Sequence, residues 1–171
     1  MNNKVVYFSK VKPDAIIPTK REEDGCYDIY ACFNENEIII PAHTVKLIPT
    51  GIASAFPPDY RIAFRERGSN TKSTLQVMAG QIDSGYRGEF FTALYNGNDC
   101  PVTISKDFND VTKTYKTESD ELEEVFVPYK KAICQFAIEE VPKVIINEIS
   151  YEDLQKFISE RGIGKLGSSN K

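Results

Sequence analysis

The densest concentration of groups able to do chemistry is Gly80-Gln81-Ile82-Asp83-Ser84-Gly85-Tyr86-Arg87-Gly88-Glu89. Its pattern predicts a strand, a tight turn with Gly85 available for positive φ, and a returning strand. Asp83 then leaves the strand where the chain reverses and Tyr86 stands on the other limb, so a carboxylate and an aromatic face border one pocket. The plain structural alternative is an Asx-type turn carrying an exposed tyrosine. A second cluster, Arg65-Glu66-Arg67-Gly68-Ser69-Asn70-Thr71-Lys72-Ser73, suits a phosphate chain. Glycine lets the backbone approach, amides and hydroxyls donate, and arginine offers a bidentate fork; a solvated polar loop has a similar make-up. The tail, Arg161-Gly162-Ile163-Gly164-Lys165-Leu166-Gly167-Ser168-Ser169, lacks the order Gly-x-x-x-x-Gly-Lys-Ser/Thr of a P-loop. Either it is a disordered end, or it is a mobile arm that folds over an anionic ligand. A fourth segment, Asp24-Gly25-Cys26-Tyr27-Asp28-Ile29-Tyr30-Ala31, puts Asp28 into a strand, where a lone aspartate is usually a surface residue.

The same inventory excludes other chemistries. The single histidine, His43, cannot build a Ser-His-Asp triad or a multi-His metal centre. Cys26, Cys32, Cys100 and Cys134 are scattered without a C-x-x-C pair, which predicts reduced and mostly buried thiols. Carboxylates, Arg and Lys, hydroxyls and backbone amides remain, and together the segments favour a phosphate chain neutralised by a hard divalent ion and attacked by water, with aspartate as the general base. Magnesium would arrive with a triphosphate, so the net charge of −4 is no obstacle. That charge, with a pI near 5.2, argues against a duplex nucleic-acid partner. No apolar run reaches bilayer length and the start lacks a signal-peptide core, which leads to the expectation of a cytoplasmic, membrane-free protein.

These groups have to be positioned by short strands. Lys4–Phe8, Ile38–Ile40, Val45–Pro49, Tyr60–Phe64, Glu89–Tyr95, Val102–Ser105, Val125–Val127, Ala132–Ile138 and Val144–Glu148 read as strands separated by turn residues. In Arg61-Ile62-Ala63-Phe64-Arg65 the arginines share one face, as a period of two requires. Turn signals about every ten residues point to an all-β sandwich or barrel. With 171 residues of which 41% are hydrophobic, one domain can bury its own core. One helix is predicted late, capped by Ser150-Tyr151-Glu152-Asp153, stapled by Ile149 and Leu154, striped by Leu154, Phe157 and Ile158, and ended by Gly162. Residues 106–124 are polar, basic first and acidic later. They read as a solvated excursion or, less simply, as a surface for a protein partner.

In this order the segments resemble the trimeric dUTPases (dUTP diphosphatases), from about Ala15 to Lys171. Five motifs carry the resemblance. Asp24 to Ala31 is similar to the first, and Pro49-Thr50-Gly51-Ile52-Ala53 to the strand that follows it. Arg67-Gly68-Ser69 resembles the second, Gly80 to Glu89 the third, Lys131-Ala132-Ile133-Cys134-Gln135 the fourth, and Arg161 to Ser169 the glycine-rich fifth. The resemblance implies a β-barrel or jelly roll of the β-clip type with one short helix. It also implies a C-terminal arm over residues 160–171 and a homotrimer with three shared sites.

The implied activity is hydrolysis of dUTP to dUMP and pyrophosphate, which limits uracil incorporation into DNA and supplies dUMP. By position, Asp83 would activate the attacking water and hydrogen-bond the 3′-hydroxyl, and Tyr86 would pack on the sugar and reject UTP. Asp28 would hold Mg²⁺ through water. Arg67, Gly68, Ser69 and Gln135 would bind phosphates, and the backbone around Gly80 and Ile82 would read uracil. On the arm, Arg161 and Ser169 would grip the γ-phosphate end, with Leu166, Gly167 and Ser168 beside them. Three departures stand out. The second motif reads Arg-Gly-Ser where the family usually has Arg-Ser-Gly. Lys165 replaces a glycine, and Leu166 stands where an aromatic often stacks on uracil. Residues 106–124 lengthen the stretch before the fourth motif, as an insertion does in some phage-type members. Two alternatives remain: a dCTP deaminase of the same fold, for which Glu89 is the nearby carboxylate, and a regulatory protein that uses the nucleotide as a switch.

Overall fold

Period-two burial makes most of the chain into short strands, as the sequence predicts. In chain order they are β1 (Tyr7–Lys10), β2 (Tyr27–Tyr30), β3 (Glu37–Ile40), β4 (Val45–Pro49), β5 (Ile52–Ala55), β6 (Tyr60–Arg65) and β7 (Leu75–Met78). They continue with β8 (Gln81–Ile82), β9 (Phe91–Asn96), β10 (Val102–Ser105), β11 (Thr112–Tyr115), β12 (Leu122–Pro128) and β13 (Ala132–Glu140). The computed structural model describes residues 5–115 and 121–164. By internal contacts the chain divides into two compact units, Met1–Val141 and Pro142–Lys171.

Four sheets form the larger unit: β2-β13-β6-β8, β11-β12-β10-β3, β4-β9-β7 and the ribbon β1-β5. This is an all-β, jelly-roll type arrangement. Strand β13 is the spine of the site-bearing sheet, with Phe136 opposite Phe64 on β6 and opposite Tyr27 on β2. These rings point into the core, where Phe136 lies 5.2 Å from Tyr27 and 5.7 Å from Phe8 between ring centroids. Phe90 and Phe136 are fully buried, each worth roughly 1.5–3 kcal/mol of hydrophobic stabilisation. Cys32, Cys100 and Cys134 are buried free thiols, as expected, and Cys26 is half-buried. Burial pushes the Cys134 thiol up to about 12.

Four local expectations need correction. Residues 112–115 are no loose excursion: β11 pairs antiparallel with β12, and Phe108 stacks on Phe126 at 4.2 Å. Strand β12 runs parallel to β10, and parallel neighbours need a long crossover, which residues 106–121 supply. Gly85 does not adopt positive φ; the left-handed residue near this turn is Ala79, at φ 48°. Residues 144–148 form no strand, and Val144, Ile145 and Ile146 are exposed.

The helix is also shorter than predicted. It covers Tyr151–Gln155 and stops at Lys156 rather than near Gly162. Its cap is as expected, since the Ser150 hydroxyl accepts from the Asp153 amide at 3.0 Å. However, Asp153 Oδ2 takes a hydrogen bond from the Ser150 hydroxyl rather than reaching back to the Ser150 amide. Leu154, Phe157 and Ile158 are all exposed, and an isolated helical turn without tertiary burial propagates poorly. Among the described residues no helix is long and apolar enough to cross a membrane.

Candidate active site

The outward face of the β2-β13-β6 sheet carries the polar residues, because the inward face is taken by Ile29, Cys134, Phe136 and Phe64. Register places Gln135 between Asp28 on one side and Arg65 on the other. Arg67 follows β6 at the entrance to a 3-10 turn over Gly68–Lys72, with extended backbone. From there its guanidinium grips Asp28 bidentately, Nε to Oδ1 at 2.9 Å and Nη2 to Oδ2 at 3.2 Å. Its Nη1 donates to the Ala132 carbonyl and to the Ser69 hydroxyl. Gln135 donates to the Glu66 carbonyl at 2.7 Å. The 3-10 turn is pinned to β13 by buried Asn70, which donates to the Ile133 carbonyl at 3.0 Å. Gly68 and Ser69 sit exposed at its start. Asp28, Arg67, Ser69 and Gln135, called separately from the sequence, therefore form one group. Asp28, Arg67 and Gln135 border a cleft of about 650 Å³.

The Asp83 turn hangs from the far side of the same sheet. Strand β8 pairs with β6, Ile82 opposite Ile62, and the Phe64 amide donates to the Gly80 carbonyl at 2.5 Å. A side chain at Gly80 would come within 2.9 Å of the Phe64 carbonyl oxygen, so the close approach of the strands requires glycine. Asp83 is exposed and its carbonyl closes the turn by accepting from the Tyr86 amide at 3.1 Å. Its carboxylate accepts from the Gln81 amide group. Tyr86 is held rigidly: its hydroxyl donates to the Glu89 carbonyl at 3.0 Å, and its ring lies 22° from the plane of Phe90. Glu89 has a structural engagement, accepting from the Gly51 amide at 2.8 Å and pairing with Lys12 at 3.2 Å.

Neither Asp83 nor Tyr86 lines the cleft bordered by Asp28 and Arg67. The fold thus presents two separate part-sites, a polar cleft around Arg67 and a turn with a carboxylate and an aromatic wall. In the smaller unit, Arg161 donates to the Gly164 carbonyl at 3.3 Å. Leu166, Gly167, Ser168 and Ser169 lie outside the described residues. Several supporting groups have roles that the sequence did not indicate. Arg61 and Arg65 converge on Glu139 and hold its carboxyl below the usual range by hydrogen bonding. Thr19, Lys20 and Arg21 line the cleft ahead of the first motif; the dibasic pair was the signal available.

Among the described residues no group of three or more His, Cys, Asp or Glu side chains could cage a metal. A carboxylate at the border of such a polar cleft nevertheless suits a magnesium ion that keeps most of its waters and is held largely by a ligand's phosphate oxygens. Asp28 has that setting.

The fold and these two part-sites define a jelly-roll protein with a polar cleft that carries the Arg67–Asp28 pair and a separate turn that carries a carboxylate near an aromatic ring. A model of the dUTPase family matches residues 12–108. The deoxyuridine 5′-triphosphate nucleotidohydrolase of Leptospira interrogans is 34% identical over 103 residues, covering 58% of this chain and 70% of its own. That of Candida albicans is 32% identical over 162 residues, covering 93% and 84%. The chain belongs to the dUTPase family. In structure it is similar to a variant of the Staphylococcus bacteriophage 80alpha dUTPase with dUpNHpp, at a TM-score of 0.72 and 19% identity over 96% of this chain and 98% of that one. A phage phi11 dUTPase variant, described in terms of coordination of a structural Mg(II) ion, gives a TM-score of 0.64 at 18% identity, covering 86% and 99%. At these identities the two structures speak for the fold.

Proposed function

We propose that this protein hydrolyses dUTP to dUMP and pyrophosphate by attack of water on the α-phosphorus. The observation that carries this reading is the grouping of Asp28, Arg67 and Gln135 around one cleft, with the Ser69 hydroxyl bonded to Arg67, in a chain of the dUTPase family. Arg67 offers phosphate oxygens a planar fork that now holds a carboxylate of similar geometry. Ser69 and the open backbone at Gly68 add neutral donors, and Gln135 adds an amide. Asp83 takes the proton of the attacking water as the new phosphorus–oxygen bond forms and the bond to the bridging oxygen breaks. It also accepts from the 3′-hydroxyl. Tyr86 forms the wall against the sugar, and a ring fixed at both its hydroxyl and its face resists the intrusion of a 2′-hydroxyl. Backbone groups around Gly80 and Ile82 pair with uracil. Arg161 is assigned to the γ-phosphate end of the nucleotide, as the family resemblance implies; Leu166, Gly167, Ser168 and Ser169 lie outside the described residues. Magnesium, when bound, neutralises phosphate charge, and Asp28 is the residue that would hold it through water.

The separation of the two part-sites supports a homotrimer in which the Asp83 turn of one copy faces the Arg67 cleft of another. A deaminase reading is disfavoured, since Glu89 is occupied by Gly51 and Lys12 rather than aimed at a base. Among the described residues strand β11 has β12 as its one neighbour in the sheet, and its other edge is the surface assigned to a protein partner. The deciding experiment is Asp83→Asn, assayed by pyrophosphate release and by binding of dUpNHpp. Turnover should fall by about 10²–10⁴-fold, the usual contribution of a general base, with the analogue still bound. Near-normal kcat would remove Asp83 from its role.

A further inference from the structure

The cleft that holds Asp28, Arg67 and Gln135 has a second wall. Thr19, Lys20 and Arg21 line it, and they precede the first of the family motifs. Their place is fixed by the sheet, because the Asp28 amide donates to the Thr19 carbonyl at 3.1 Å. Lys20 and Arg21 therefore follow directly from a residue in register with Asp28. Arg21 is then shaped by a four-residue turn. The Asp24 amide donates to the Arg21 carbonyl at 3.1 Å, and Arg21 Nε and Nη2 each reach the Asp24 carboxylate at 2.9 Å. The Asp24 carboxyl is held below its usual range chiefly by that hydrogen bond. The pair uses one edge of the guanidinium and leaves Nη1 outside it, while the Arg21 side chain is 88% exposed. Lys20 is anchored differently. Its ammonium donates to the Arg21 and Glu22 carbonyls, both at 3.2 Å, and lies 5.6 Å from the centre of the Tyr27 ring.

The charge balance of the cleft follows. Arg67 is matched by Asp28 and Arg21 by Asp24, as two bidentate pairs in one cleft, while Lys20 bonds only to neutral groups. The excess is one positive charge, together with a second guanidinium already oriented by its carboxylate. An oriented fork loses less side-chain freedom on binding a phosphate than a free arginine does. A cleft with two forks and an ammonium is larger and more cationic than one phosphate requires.

We propose that Lys20 and Arg21 form a further phosphate-binding element of this site, which takes the outer, leaving end of the triphosphate. The element binds the nucleoside triphosphate and the pyrophosphate product and leaves the monophosphate untouched. This inference rests on the dUTP-hydrolase reading above. It concerns residues that the family motifs do not include, and it assigns the loop ahead of the first motif a role in capturing substrate by charge.

The test uses the full-length protein and the variants Lys20→Ala/Arg21→Ala and Arg21→Lys, with KM for dUTP, inhibition by inorganic pyrophosphate and direct binding of dUMP measured at low and high salt. The double variant should raise KM for dUTP roughly three- to tenfold at low salt, with a smaller effect at high salt, as expected for solvent-exposed charges. Pyrophosphate inhibition should weaken in step and dUMP binding should stay as in the natural protein. Arg21→Lys should fall between the two, keeping the charge and losing the fork. Unchanged KM and pyrophosphate inhibition in the double variant would overturn the proposal, as would an equal loss of dUMP affinity, which would signal a collapsed loop. If the natural protein fails to release pyrophosphate from dUTP, the underlying reading fails instead, and that outcome is visible before any variant is made.

Discussion

At the scale of single residues, the Tyr86 wall depends on a neighbour that has no side chain. A Cβ at Gly88 would lie 2.5 Å from the Tyr86 hydroxyl oxygen and 2.7 Å from Cζ. Such contacts are impossible, so the ring or the backbone would have to move. Gly88→Ala is expected to break the bond from Tyr86 to the Glu89 carbonyl and loosen the sugar wall. Discrimination between dUTP and UTP, measured as the ratio of kcat/KM values, should then fall by about tenfold, the effect of a modest steric barrier of roughly 1–3 kcal/mol. An unchanged ratio would mean that Tyr86 does not set sugar selectivity. This dependence could not be read from the sequence, where Gly88 is one more small residue in a glycine-rich motif. Arg67 and Ser69 were legible as candidate phosphate ligands because their residue types fit phosphate, whereas Asp28, one aspartate in a strand, and Gln135 were singled out only through the family resemblance. Their arrangement was not legible, because Arg67 bonds to Asp28 and to the Ala132 carbonyl and Gln135 to the Glu66 carbonyl, partners that only the sheet register brings together.

At the scale of elements, period-two alternation was the reliable signal wherever one face of a strand is buried. It located β6 and β13 closely, since Ile62, Phe64 and Phe136 mark the core face. It misled at Val144–Glu148, where apolar residues lie exposed and unpaired in regular structure. It also missed β11, whose residues Thr112, Lys113 and Tyr115 are exposed, so that only its backbone pairing with β12 defines it. That pairing changes what residues 106–124 mean. Leu122 to Glu124 belong to β12 itself, and residues 106–121 carry the chain to a strand parallel with β10. Excising 106–124 should therefore destabilise the fold, with a clear drop in thermal midpoint. Lys113→Glu combined with Tyr115→Ala should leave both midpoint and turnover near those of the natural protein, since both side chains are exposed. A stable, active excision variant, read by thermal melting and pyrophosphate release, would contradict the assigned crossover.

At the scale of the whole molecule, the separation of the two part-sites and an exposed apolar sheet face point the same way. On β4, β9 and β7 the outer face presents Val45, Leu47, Phe91 and Met78, all at least 44% exposed. Contiguous apolar surface of this kind usually marks an interface. A second copy of the chain is the occupant proposed for it, since each copy holds a phosphate cleft without its own Asp83 or Tyr86 at the lining. A closed ring of copies lets every cleft meet one neighbour's turn. Complementation tests this directly. Asp83→Asn spoils the turn and Arg67→Ala spoils the cleft, so each variant alone should be nearly inactive. After co-refolding at equal amounts, a site is intact only where an Arg67→Ala copy supplies the turn and an Asp83→Asn copy supplies the cleft. Random assembly makes about one site in four intact on cyclic symmetry, so activity should return to about a quarter of the natural level. Were both part-sites used within one copy, no pairing of the two variants could restore an intact site, and mixing would recover nothing.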